Sequence, residues 1–184
     1  MAVGKVHSGA MSYNSSISFL PLNHSTSVLS LERHHQVLNQ AKPGVFIAFV
    51  PRYTSSRVIH RGLVVVKSNS GPFPAYPLLT AQLLVLFTPG NLQPGYQAVL
   101  HCHTAKTPCR VEAITAQLDR ESGTVGKERP SSGHTGDTLI CVLSLKKPIY
   151  VEEYGKCPAL GRFVLRDMGV IVAVGVIKEI ERGK

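Results

Sequence analysis

From Met1 to Lys67 short apolar blocks alternate with Ser, Asn and Gly, and no helical period persists. Ile17 to Leu20, Val28 to Leu31, Val45 to Val50 and Leu63 to Val66 read as strands of a small barrel. Ser68-Asn69-Ser70-Gly71-Pro72-Phe73-Pro74 breaks this pattern because Gly, Pro and Ser disfavour regular structure, so residues 68–77 are expected to link two domains. Beyond it Leu78 to Phe87, Ala98 to Cys102, Cys109 to Leu118, Leu139 to Leu145 and Ile149 to Val151 read as strands, with turns at Pro89-Gly90, Ser122-Gly123 and Gly136-Asp137. Glu121 to Gly136, polar and rich in Gly and Ser, is expected to be a long exposed loop.

Leu160 to Ile177 reads as a β-hairpin. Arg162, Val164 and Arg166 fall on one face, Phe163 and Leu165 on the other, and Asp167-Met168-Gly169 interrupts before an unbroken apolar run. That run, Val170 to Ile177, falls short of the roughly 20 residues of a membrane helix and is rich in β-branched residues, so a buried strand is predicted. A strand apolar on both faces needs a closed or covered sheet around it. The expected architecture is all-β, two small antiparallel barrels in tandem, over residues 1–67 and 78–184.

Lys and Arg outnumber Asp and Glu by 20 to 11, giving a net charge of +9 and making polyanions the natural partners. The excess is uneven. Residues 1–70 hold seven basic residues (Lys5, Arg33, Lys42, Arg52, Arg57, Arg61, Lys67) and one acid, Glu32, which leaves +6 there. Cys102, Cys109, Cys141 and Cys157 are far apart, and no charged-then-apolar leader is seen, so a reducing cytoplasm and no disulfide are expected. No membrane association is expected.

Leu160-Gly161-Arg162-Phe163, Arg166-Asp167-Met168 and Val172-Ala173-Val174-Gly175-Val176-Ile177-Lys178 resemble the C-terminal barrel of translation elongation factor 1-alpha, the GTPase that delivers aminoacyl-tRNA to the ribosome. Thr80-Ala81-Gln82, Gly95-Tyr96, Cys102-His103-Thr104-Ala105, Asp119-Arg120, Gly136-Asp137 and Lys147-Pro148 extend the likeness without a gap from Leu79 to Lys178. Val3-Gly4-Lys5-Val6, His34-His35, Pro43-Gly44 and Arg61-Gly62 are similar to that family's middle barrel. Release-factor relatives share such a barrel pair, but Cys102-His103-Thr104-Ala105 and the ungapped match favour the elongation factor. The resemblance implies a fragment with an incomplete middle barrel, lacking the family's first strand and expected to fold poorly unless another chain supplies it. Pro51 interrupts one strand of that barrel, and Tyr13-Asn14 stands where the family has a Pro-Gly turn.

Nucleotide chemistry is not expected of this chain. A phosphate-binding loop needs Gly-x-x-x-x-Gly-Lys-Ser/Thr, and Gly126-Lys127 has Glu121 where the first Gly belongs and Glu128 where the hydroxyl belongs. No catalytic, cofactor or metal site is predicted, GTP and Mg²⁺ being implied only for full-length relatives. His101-Cys102-His103 with Cys109 matches no zinc spacing, since a strand turns the two imidazoles one way and the thiol the other. The candidate contact residues are cations and imidazoles: Arg162, Arg166, His34, His35, Arg61, His101, His103, Lys106 and Arg110. Two guanidinium groups about 13 Å apart along a strand, as Arg162 and Arg166 would be, can each meet a phosphate, or else be solvated or paired with Glu152, Glu153 or Asp167. The resemblance places His34-His35 near the aminoacyl end of tRNA, and Arg162 and Arg166 against the nucleotide-binding domain or the tRNA T-stem. It implies tRNA, the ribosome, a nucleotide-exchange factor or actin as partners. The expected activity is non-catalytic binding of tRNA or other RNA; the alternative is a degenerate copy or protein-interaction remnant.

Overall fold

The computed structural model describes residues 1–55, 57–68, 78–88, 90–119 and 121–181. Of the expected linker at residues 68–77 only Ser68 is among them; residues 69–77 lie outside, as do Pro89 and Arg120. The chain divides into two compact units, Met1–Phe73 and Pro74–Lys184. Both are built of antiparallel strands, so the fold is all-β.

The first unit contains β1 (Ala2–Lys5), β2 (Met11–Ser12), β3 (Ser16–Leu20), β4 (His24–Arg33), β5 (Gln36–Val37), β6 (Gln40–Ala41), β7 (Phe46–Pro51) and β8 (Val64–Lys67). The main sheet runs β1-β7-β4-β3-β8, with β5 paired to β4, and β2 pairs with β6. Alternation sends Ile17, Phe19, Val28, Leu31, Ile47 and Phe49 into one core, where the rings of Phe19 and Phe49 stack at 6.3 Å. No described strand joins β1 to β8, so the sheet is open there.

Local chemistry explains how this unit tolerates its odd residues. Pro51 ends β7 opposite Val28, next to a register shift between Val28 and Ser30. Val28 donates its N–H to Ser15 O and accepts from Asn14 N, so Pro51's missing donor leaves no gap on β4. Asn14 sits at φ 58°, a conformation Asn tolerates better than most residues, and closes a turn in which Ser15 N–H donates to Ser12 O. Arg33 pairs with Gln36, which makes His34-His35 a two-residue hairpin turn with φ of 49° and 63°.

The second unit contains β9 (Leu78–Val85), β10 (Gln97–Cys102), β11 (Ala105–Leu118), β12 (Val125–Glu128), β13 (Thr138–Leu145), β14 (Arg162–Asp167), β15 (Val170–Glu181) and one helical turn, α1 (Pro158–Gly161). Its order β10-β14-β15-β9-β13-β11 returns to β10, a closed six-stranded barrel with β12 attached to β11. Closure removes both edges. Leu79, Leu83, Leu100, Leu139, Leu143 and Leu165 fill the interior. Met168 and Gly169, both at positive φ, form the β14–β15 turn between Asp167 and Val170.

Three expectations need correction here. Ile149 to Val151 is not a strand: Ile149 and Val151 are buried, which produces the alternation, but they lie outside every ladder. Glu121 to Gly136 is exposed over most of its length, with Pro130 and Gly133 buried, and it includes β12, because Ala116 to Leu118 find ladder partners in Glu128 to Val125. Leu160 and Gly161 belong to α1 and not to the hairpin; Pro158 suits the first helical position, and a Cβ on Gly161 would come within 2.5 Å of the Tyr154 backbone.

Candidate functional site

Strand register in the second unit gathers the predicted cations on the outer face of the barrel. β14 alternates Phe163 and Leu165 inward with Arg162, Val164 and Arg166 outward. β10 lays His101 opposite Val164 and Val99 opposite Arg166, and β11 lays Lys106 opposite His101 and Arg110 opposite Gln97. Lys106, Arg110, Arg162 and Arg166 are all exposed there. On the other side of β14 the row continues from Val164 through Val174 to Leu84, giving the cationic face an aliphatic margin. A shallow groove of about 890 Å³ follows that margin, lined by His101, His103, Arg162, Val164, Val174 and Leu84 among others.

The two arginines of β14 are oriented by their own chain and not by carboxylates. Arg162 donates from Nε to Pro158 O at 3.2 Å, and its guanidinium lies 5.8 Å from the Tyr154 ring centroid. Arg166 donates to Gly169 O at 2.8 Å. The anticipated acidic partners are engaged elsewhere: Asp167 accepts from the Tyr96 hydroxyl at 2.8 Å, Glu152 from Tyr150, and Glu153 pairs with Lys156 at 2.9 Å. Both guanidiniums therefore keep donors directed outward from a restrained side chain. Arg110 has a long contact with Glu112, 4.0 Å, and both side chains are well exposed, so this pair restrains it little. Lys146 Nζ reaches Gln97 Oε1 at 3.4 Å and extends the positive surface.

His103 departs from the strand reading. It occupies the turn between β10 and β11 at φ 46°, with Nε2 2.9 Å from Tyr150 O, although it still lines the same groove as His101. Cys102 turns inward, its thiol donating toward Leu160 O at 3.3 Å and Arg162 O at 3.2 Å. Burial pushes the Cys102 and Cys141 thiols up to about 12 and Cys109 up to about 11, far from the thiolate that a nucleophile or metal ligand requires. Burial and the Asp167 bond raise Tyr96 to about 12. Among the described residues no group of three His, Cys, Asp or Glu is placed to hold a metal ion, and no helix is long and apolar enough to cross a membrane.

His34, His35 and Arg61 belong to the first unit and are exposed there, the two imidazoles at the tip of the β4–β5 hairpin. The sequence reading missed Tyr154, which shelves Arg162, and the aliphatic margin of Leu84, Val164 and Val174. The available signal was the alternation Arg162-Val164-Arg166, which already puts Val164 on the arginine face.

With this arrangement in view, the comparisons with known proteins are specific. The sequence model of the family described as GTP-eEF1A C-terminal domain-like matches residues 78–178. Elongation factor 1-alpha of Stylonychia lemnae is 38% identical over 178 residues, 97% of this chain and 40% of that protein, and the Eimeria bovis protein is 39% identical over 180 residues, 98% of this chain and 52% of that protein. The chain thus spans between two fifths and about half of these relatives. Sup35 complexed with GMPPNP superposes with a TM-score of 0.89 at 26% identity, covering 97% of this chain and 43% of Sup35; the GDP complex gives 0.88 at 27%. The same barrel, matched over residues 78–178 and continued into the first unit by the curated relatives, places this chain in the elongation factor 1-alpha family, as a counterpart of the C-terminal part of its members.

Proposed function

We propose that this chain acts as a non-catalytic binding part of the translation machinery, holding tRNA or a similar structured RNA by its phosphates. The single observation that carries the reading is the convergence of Lys106, Arg110, Arg162 and Arg166 with His101 on one outer face of the closed barrel. Arginine donors restrained by Pro158 O and Gly169 O are suited to phosphate, and the Tyr154 ring is taken up by Arg162, which favours recognition of shape and backbone over base sequence. Membership of a family of translation factors supports translational RNA as the polyanion.

The test is tRNA affinity against salt. Electrostatic binding of this kind has dissociation constants of about 10⁻⁴ to 10⁻⁶ M, and four phosphate contacts give a logarithmic salt slope of about −3.6, a loss of about 150-fold between 50 and 200 mM. Lys106→Gln and Arg166→Gln should each flatten the slope by about one. Binding that is indifferent to salt, or a slope that survives both substitutions, would remove the proposal.

A further inference from the structure

The loop between β7 and β8 carries Arg52, Arg57 and Arg61 and no acid. The first unit's only carboxylate side chain, Glu32, lies about 13 Å along β4 from Val28, the partner of Pro51. Where the loop leaves β7 its backbone is fixed. Arg52 N–H donates to Ser27 O at 2.8 Å, and Arg52 O accepts the hydroxyls of Thr26 and Thr54, the latter at 3.1 Å. His24 Nε2 lies 3.2 Å from Thr54 Oγ1, and Ile59 and Leu63 pack the far arm of the loop onto the core. The side chains at this point are not used in the same way. Among the described residues no hydrogen bond or ion pair engages the Arg52 guanidinium, and its Nε is shut from water without an acceptor. Tyr53 follows at φ 49°, a left-handed conformation that is costly for a bulky residue, and is 95% exposed. The Arg52 guanidinium stands 6.0 Å from its ring centroid, so one face of the ring is backed by a cation and the other is open to solvent.

We propose that Tyr53 and Arg52 form a site for an unpaired nucleotide of RNA, the base stacking on the open face of the ring and a neighbouring phosphate meeting the guanidinium. A phosphate oxygen supplies the acceptor that the guanidinium lacks. Charge selects this occupant: the loop is cationic throughout, and a nucleotide brings a flat aromatic face and a negative charge within one residue of each other. Every base has such a face, so the site tolerates any of the four. It lies within the first unit and does not rest on the cationic outer face of the second.

The chain has no Trp, so Tyr53→Trp places a single fluorophore in the site. An adenylate octamer should quench it by stacking, and an abasic ribose-phosphate octamer of equal charge should not. Tyr53→Ala should weaken binding of the adenylate octamer by about 5- to 100-fold, the range for one lost base stack, and Tyr53→Phe should keep it. Arg52→Gln should weaken both octamers and flatten their logarithmic salt slope by about one. Tyr53→Ala removes no charge and should leave the salt slope of tRNA binding as it is, so this site and the outer face of the second unit fail separately. Equal quenching by the abasic strand, an unchanged affinity of Tyr53→Ala, or an adenylate octamer that does not bind overturns the assignment.

Discussion

Gly175 is a demanding position in the strands of the closed barrel. It lies on β15 between Leu83 of β9 and Phe163 of β14, and a Cβ there would stand 2.6 Å from Gln82 O and 2.8 Å from both Leu83 Cδ2 and Phe163 Cζ. Ordinary contact begins near 3.4 Å, so Gly175→Ala requires relief of 0.6 to 0.8 Å against neighbours on two strands. One of those neighbours is a backbone oxygen, which cannot change rotamer. In an open sheet β15 could move outward, but here movement from β9 compresses β14, and the ring of strands transmits the strain. The expected loss is about 2 to 3 kcal/mol, the upper part of the range for overpacked cores. With urea m-values of about 1 to 3 kcal/mol per molar, the midpoint should fall by about 0.7 to 3 M. The chain has no Trp, so far-UV circular dichroism is the natural signal. Gly126→Ala is the matched control: its nearest neighbours lie at 3.7 Å, and it should be neutral or slightly stabilising. An unchanged Gly175→Ala midpoint, or an equal fall in the control, would refute the reasoning.

Replacing His34-His35 by Asn-Gly should stabilise the first unit by about 1 kcal/mol, because both positions hold positive φ in a two-residue hairpin turn; an unchanged or lower melting temperature would count against that geometry. Alkaline stability should fall steeply. Cys102, Cys109 and Cys141 are held above the ordinary thiol value, so the folded chain keeps three protons that the unfolded chain releases; stability is intact below about pH 8.5 and is lost as pH rises toward 11 to 12. At about 1.4 kcal/mol per thiol and pH unit the slope is about 4 kcal/mol per pH unit, and Cys141→Ala should reduce it by a third in urea titrations at pH 9 to 10.5, whatever its effect at neutral pH.

The alternation that marks strands located the longer ones, though β4 and β11 each begin four residues before the stretch that alternation picked out. Ile17, Val28, Val45 and Leu63 each fall in or beside an observed strand, and the Arg162-Val164-Arg166 face was legible before any partner was known. Where alternation misled, burial without pairing was the cause: Ile149 and Val151 enter the core from a segment whose flanking donors Glu152 N and Tyr154 N go to Leu160 O and Ile177 O. β1 and β12 escaped notice because four residues carry too little pattern, and their strand identity comes from the ladder partners β7 and β11.

By itself the sequence determined the period of two, the β14–β15 hairpin, the excess of positive charge and the want of a phosphate-binding loop, since each depends on residues near one another along the chain. Only the tertiary structure decided that one sheet closes while no described strand joins β1 to β8 in the other, and that Lys106, His101 and Arg166 share one outer face although they come from three strands. Side-chain alternation fixes which face a residue occupies but not which strand lies beside it. That choice follows from register across the barrel, where a slip of one residue would turn every inward leucine toward water.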